Sequence, residues 1–177
     1  MTKQVKPARD ALKARRDDMY PTHPDAVRTL FTVEDLARPP ERIWEPCAGR
    51  GDIVDVLRAA GHDVVASDLV DYGIPGQFAR WDFLLEQRAP PGVVEIVTNP
   101  PFKLAAKCVE HGLVLCPRVI VLLRTLFLEA PTPPRIAATP SRARAHFLRP
   151  HPRHAPRRMD RQEGEHRPFA LMVCLRA

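Results

Sequence analysis

Between Arg42 and Asp68 the chain runs strand, glycine turn, helix, strand and acidic residue, and that order leaves few folds open. Arg42-Ile43-Trp44-Glu45-Pro46 reads as a short buried strand, and Cys47-Ala48-Gly49-Arg50-Gly51 as a glycine-punctuated loop. Asp52 stands where a helix cap belongs. Ile53, Val56, Leu57 and Ala60 recur behind it at helical spacing, and Gly61 ends the helix. Asp63-Val64-Val65-Ala66-Ser67 is a second strand, with Asp68 just past its end. Two strands joined through a helix pair in parallel with a right-handed crossover, which predicts a βαβ nucleotide-binding unit.

The glycine pattern narrows the ligand. A dinucleotide fingerprint needs a third glycine to approach a pyrophosphate, and Val54 occupies that place. The turn is tight without being a phosphate cradle, so a dehydrogenase is a distant alternative. Glu45 and Asp68 end their strands at the same carboxyl edge of the sheet. Asp68 is placed for ribose hydroxyls, and Glu45 can face an ammonium or a sulfonium. Together they favour S-adenosylmethionine over NAD.

Downstream, strands and helices keep alternating. Val93–Val97 is an apolar strand, and Leu104, Cys108, His111 and Leu115 lie on one amphipathic helix. Val119-Ile120-Val121-Leu122-Leu123 is a continuous apolar run, as a central parallel strand requires. Ala145-His146-Phe147-Leu148 is an edge-strand candidate, and Phe169–Leu175 a last strand returning antiparallel. The expected fold is α/β: a doubly wound, mostly parallel Rossmann-like sheet with an antiparallel last strand. Its expected parts are a basic arm over 1–19, a ligand-binding domain over 20–129 and a Pro/Arg-rich tail over 130–177 that holds the final strand.

The most unusual chemistry sits where the Val93–Val97 strand ends, in Thr98-Asn99-Pro100-Pro101-Phe102. A residue before proline is held extended, and proline has no N–H to donate. Asn99 and Pro100 therefore form a stiff corner of hydrogen-bond acceptors, with the Phe102 ring alongside. Such a corner suits an –NH2 group on a flat ring, with acceptors on the amine hydrogens and the aromatic ring on the ring face. A proline-braced turn is the plainer reading. In Trp81-Asp82-Phe83-Leu84, Asp82 could accept from an adenine amine while Phe83 packs on the base; the plainer reading there is a strand end. Upstream, Tyr20-Pro21-Thr22-His23-Pro24 is a turn cluster before a helix whose Val27, Leu30 and Phe31 share a face. Thr22 is the expected cap, beside N–H groups that could meet a ligand carboxylate.

Charge is uneven along the chain. Residues 1–19 hold six basic against three acidic side chains, residues 20–134 eleven against fifteen, and residues 135–177 ten against three. An acidic body with basic ends fits a polyanion touched at the ends, with DNA expected against 1–19 and 135–167. Solubilising tails are the commoner explanation of such ends. Cys47, Cys108, Cys116 and Cys174 contain no Cys-x-x-Cys pair and fit a reducing cytoplasm. His151 and His154 have ligand-like spacing without a thiol or carboxylate partner, so no metal is expected. No apolar run reaches spanning length, and no membrane segment is expected.

Glu45-Pro46-Cys47-Ala48-Gly49-Arg50-Gly51-Asp52, Asp82-Phe83 and Asn99-Pro100-Pro101-Phe102, in this order, resemble class I S-adenosylmethionine-dependent amino-methyltransferases, in particular small phage and prophage adenine-specific DNA methyltransferases. Tyr20-Pro21-Thr22-x-Pro24 resembles the N-terminal cofactor motif of those enzymes. The resemblance covers about 18–129 and implies the following roles. Tyr20, Thr22, Glu45, Cys47, Gly49, Gly51, Asp68, Asp82 and Phe83 would bind the cofactor, while Asn99, Pro100, Pro101 and Phe102 would hold the target amine, adenine rotated out of a DNA helix. Enzymes acting on amines of RNA or on a protein glutamine share the Asn-Pro-Pro-aromatic corner, so the motif leaves RNA and protein substrates open. A non-catalytic nucleic-acid- or cofactor-binding domain is the contrasting class. Members carry a sizeable target-recognition region, and here only a short basic tail follows Leu128.

Overall fold

The computed structural model describes residues 21–33, 41–124, 127, 142–148 and 170–176. Helix α1 spans Pro24–Val33. Pro24 suits its first turn because its fixed φ is already helical and its missing N–H would be unpaired there anyway. The cap is not Thr22. His23 precedes the helix and its Nδ1 accepts from the Asp25 N–H at 3.2 Å.

Strand β1 (Arg42–Glu45) leads through the glycine loop into α2 (Asp52–Ala59), followed by β2 (Asp63–Asp68). Asp52 is the first residue of α2 and not its cap. Gly51 takes that place at φ +94°, with its carbonyl accepting from the Asp55 N–H at 2.8 Å. A side chain at that φ is strained, and a Cβ on Gly51 would lie 3.4 Å from Ile74. The two-residue β3 (Phe78–Ala79) precedes a single 3-10 turn at Phe83–Leu85, where a strand end was expected. Then come β4 (Val93–Thr98), a second 3-10 turn at Phe102–Leu104, α3 (Ala105–Leu115) and β5 (Arg118–Arg124). Strands β6 (Arg142–Leu148) and β7 (Ala170–Arg176) complete the described chain.

The seven strands form one sheet in the order β3-β2-β1-β4-β5-β7-β6. Strands β3, β2, β1, β4 and β5 run parallel to their neighbours. Strand β7 is antiparallel to both β5 and β6, placing Arg176 opposite Arg118 on one side and Arg142 on the other. The expected doubly wound, mostly parallel sheet with a reversed last strand is therefore present, and β7 lies inside the sheet with β6 at its edge.

Apolar side chains alternate between two cores. On one face Val27 and Leu30 of α1 and Ile53, Val54 and Leu57 of α2 pack with Ile43, Val97 and Ile120 of the sheet. On the other, Ala105, Cys108 and Val109 of α3 pack with Trp44, Ile96, Val119 and Val121. Burial of both faces explains why β4 and β5 read as apolar runs with little alternation. An ion pair bridges these two strands: Glu95, 1% exposed, lies 3.2 Å from the Arg118 guanidinium.

Candidate functional site

In an open α/β sheet, ligands bind beyond the carboxyl ends of the strands, where the strand order reverses. Here the reversal lies between β1 and β4. The chain leaves β1 through the glycine turn and leaves β4 through Asn99-Pro100-Pro101-Phe102, so the two motifs meet at that point.

The glycine turn is strapped to β2. The Ala48 N–H donates to the Ser67 carbonyl at 3.0 Å, and the Gly49 N–H to Asp68 Oδ2 at 2.9 Å. Gly49 needs a φ of +53° to make this approach. Asp68 Oδ1 accepts from the Val70 N–H at 2.9 Å, so both carboxylate oxygens are fixed by backbone. Glycines and Asp68 are thus brought together as the βαβ pattern required.

Glu45 ends β1 with no exposed surface. Its Oε1 accepts from the Thr98 hydroxyl at 2.6 Å and from the Cys47 N–H at 3.3 Å. Its Oε2 is buried without a hydrogen-bond partner among the described residues. Burial pushes the carboxyl up to about 8 from an ordinary 4.5, against the two hydrogen bonds that lower it, and the nearby Asp68 charge adds to the rise. A buried, unsatisfied acidic oxygen beside a glycine turn fits a cationic ligand group, which would replace the missing partner.

The corner after β4 carries Asn99, half-buried, and Pro100, buried. Pro101 has φ −53° and ψ 128°, and its carbonyl accepts from the Leu104 N–H at 2.9 Å, which starts the short 3-10 turn holding Phe102. Asn99 Nδ2 donates to Thr22 Oγ1 at 3.0 Å. Thr22 is 6% exposed, and its N–H donates to Asp52 Oδ2 at 3.0 Å. That N–H, expected to be open to a ligand carboxylate, is engaged by a protein carboxylate. The polar groups form one run from Glu45 through Thr98 and the neighbouring Asn99 to Thr22 and Asp52.

Asp82 and Phe83 sit at the short 3-10 turn that follows β3. Asp82 Oδ1 caps the 3-10 turn by accepting from the Leu84 N–H at 3.1 Å. That turn carries Phe83 inward: it is 1% exposed, with its ring edge-on to Trp44 and to His111 at 5.2 Å each. Phe83 belongs to the core and offers no face to a base. Tyr20, His151 and His154 lie outside the described residues. Thr98, Asp52 and Trp81 were not anticipated. The Trp81 N–H donates to the Asp68 carbonyl at 3.0 Å, and its ring packs 4.8 Å from that of Phe78. Among the described residues, no group of three or more His, Cys, Asp or Glu is arranged to hold a metal ion, and no helix is long and apolar enough to cross a membrane.

No protein-family model matches the sequence, and no curated protein does. Solved structures do match. The 23S rRNA methyltransferase ErmE aligns with a TM-score of 0.62 at 14% identity, over 89% of this chain and 69% of its own. In the E. cuniculi Mtq2–Trm112 complex, responsible for methylation of the eRF1 translation termination factor, the match has a TM-score of 0.60 at 14% identity, over 90% of this chain and 98% of that one. TrmN from Thermus thermophilus matches at a TM-score of 0.54 and 23% identity, and this chain spans about half of its length: 86% of this chain and 48% of that one are covered. With its strand order and reversed last strand, the chain has the Rossmann-like fold of class I methyltransferases.

Proposed function

We propose that the protein is a methyltransferase that uses S-adenosylmethionine to methylate the exocyclic amine of adenine in DNA. The observation that carries this proposal is the meeting of the Asn-Pro-Pro-Phe corner with the glycine turn at the reversal point of the sheet. The buried Glu45 Oε2 supports a cationic cofactor. Glu45, Cys47, Gly49 and Gly51 would hold its methionine end and Thr22 its carboxylate, through the hydroxyl hydrogen. Asp68 would take the ribose hydroxyls and Asp82 the adenine amine, with Tyr20 in the same N-terminal element as Thr22. Phe83 is left with a structural part only. The cofactor supplies an electrophilic methyl group on a sulfonium.

The chain's own work is done at the amine. An exocyclic amine on a flat ring is a poor nucleophile because its lone pair is shared with the ring. Asn99 Oδ1 and the Pro100 carbonyl accept its two hydrogens, which favours a pyramidal nitrogen and returns the lone pair to it. Phe102 stacks on the base, and Pro101 stiffens the corner that holds these groups in register. The rate enhancement comes from orientation and fixed dipoles, with no covalent intermediate on the enzyme.

A base amine in RNA is the second reading, favoured by the rRNA methyltransferase among the structural neighbours. A protein amide, as for the eRF1 methylation complex, is the third. The deciding experiment offers labelled S-adenosylmethionine together with duplex DNA, single-stranded DNA, total RNA and cell protein, for the wild type and Asn99→Ala. Label in DNA is expected, falling at least about a thousandfold in the variant, while affinity for S-adenosylhomocysteine stays within about threefold. Label in RNA or protein would move the substrate and keep the chemistry. Absence of label with the cofactor still bound would point to a binding domain.

A further inference from the structure

We propose that Thr22 is a positioning residue for Asn99: its hydroxyl holds the amide so that Oδ1, and not Nδ2, is presented to the target amine. The proposal rests on the methyl-transfer function above and adds to it a residue that acts on the acceptor corner itself.

An asparagine amide is nearly symmetric in shape, and a half-turn exchanges its acceptor oxygen for two N–H donors. Steric fit alone scarcely separates the two orientations, so the partner must. An amine can be gripped only by the oxygen; the flipped amide would set donor against donor. A threonine hydroxyl can donate or accept, but once its hydrogen is given to the ligand carboxylate only its lone pairs face Asn99. The Asn99 Nδ2–Thr22 Oγ1 bond of 3.0 Å, across 77 residues of sequence, then commits the nitrogen end to Thr22. Thr22 is well braced for this task. It follows Pro21, it is 6% exposed, and its N–H is held by Asp52 Oδ2 at 3.0 Å. Asp52 in turn opens α2, directly after the glycine turn. The hydroxyl that orients Asn99 is therefore anchored to the cofactor side of the site. While it accepts from Asn99 its own hydrogen remains a donor, so a ligand carboxylate bound there would strengthen the same bond by polarising the hydroxyl.

The test compares Thr22→Val, which keeps the shape without the oxygen, with Thr22→Ser, which keeps the oxygen. The first readout needs no substrate: the side-chain amide signals of 15N-labelled Asn99, assigned by their loss in Asn99→Asp. In the wild type one amide proton should be shifted and protected. In Thr22→Val its exchange should be at least about tenfold faster, and in Thr22→Ser it should stay close to wild type. The second readout is methyl transfer at saturating cofactor. Thr22→Val should lower kcat about 10–100-fold with the KM for nucleic acid within about threefold, and Thr22→Ser should restore kcat. Unchanged Asn99 signals in Thr22→Val would overturn the proposal whatever the activity. Altered signals with an unchanged kcat would overturn it as well. A wild type that transfers methyl to no substrate, with the amide signature present, would instead overturn the reaction proposed above.

Discussion

At the residue scale, the chemistry of Glu45 departs far from its free state. Its carboxyl, pushed up to about 8 by burial, keeps its proton in the folded protein over a range in which an unfolded chain has lost it. The sign follows. Between about 4.5 and 8 the native state binds more protons than the unfolded state, so this contribution to stability is complete at low pH and is lost as pH rises toward 8. Glu45→Gln should flatten the fall of the thermal midpoint between pH 6 and pH 8, measured by calorimetry. A cationic ligand at Oε2 reverses the preference and expels the proton. Binding of S-adenosylhomocysteine at pH 7 should then release protons, seen as a binding heat that varies with buffer ionisation enthalpy, and Glu45→Gln should abolish that variation. A heat independent of buffer in the wild type would contradict the assignment of Glu45 to the ligand's cationic end.

At the element scale, the buried pair between β4 and β5 sets the cost of disturbing the sheet's middle. Arg118→Leu strands the Glu95 carboxylate, 1% exposed, without its guanidinium, and should cost about 3–5 kcal/mol in urea unfolding. Adding Glu95→Leu should recover much of that loss, because the expense lies in the unmatched charge. The elements differ in how openly the sequence announced them. β1, β2, β4 and β5 were legible because each is buried and apolar between turn residues. β3 was hidden, since two residues in a loop carry no period, and what holds them is backbone pairing with Ser67 and Asp68 and the packing of Phe78 on Trp81. Phe83 was misjudged because Asp82 caps a tight turn that swings the ring into the core. The glycine turn and the Asn-Pro-Pro corner were legible as local motifs. The bond between Thr22 and Asn99 was not, because no local pattern reports a contact between residues so distant in sequence.

At the scale of the whole molecule, the basic segment between β6 and β7 is the part to test for nucleic-acid contact. Residues 149–169 carry six arginines against three acidic residues. Removing the chain after Leu128 would be a poor test, since it would also remove β6 and β7 from the sheet. Replacing Arg153, Arg157, Arg158 and Arg161 by Gln leaves both strands intact. If these side chains neutralise phosphates, the slope of log affinity against log salt should shrink by about 0.9 for each duplex-DNA phosphate that is no longer neutralised, measured by fluorescence anisotropy. An unchanged slope would leave the four arginines to solubility.

The reversal of β7 also carries a consequence for how the chain comes into being. Strand β6 joins the sheet only through β7, which lies later in the chain. During synthesis, therefore, the outer edge of β5 waits unpaired, and β6 emerges with no strand to dock on, until the residues up to Arg176 have been made. For that interval a seven-residue row of open backbone donors and acceptors on β5, apolar from Val119 to Leu123, faces the cellular milieu as a template for unrelated strands. Strand β7 thus acts as a latch, covering the apolar β5 edge and giving β6 a strand to pair with. Ribosomal pauses or lesions ahead of it would be felt as lost yield long before they were felt as lost catalysis.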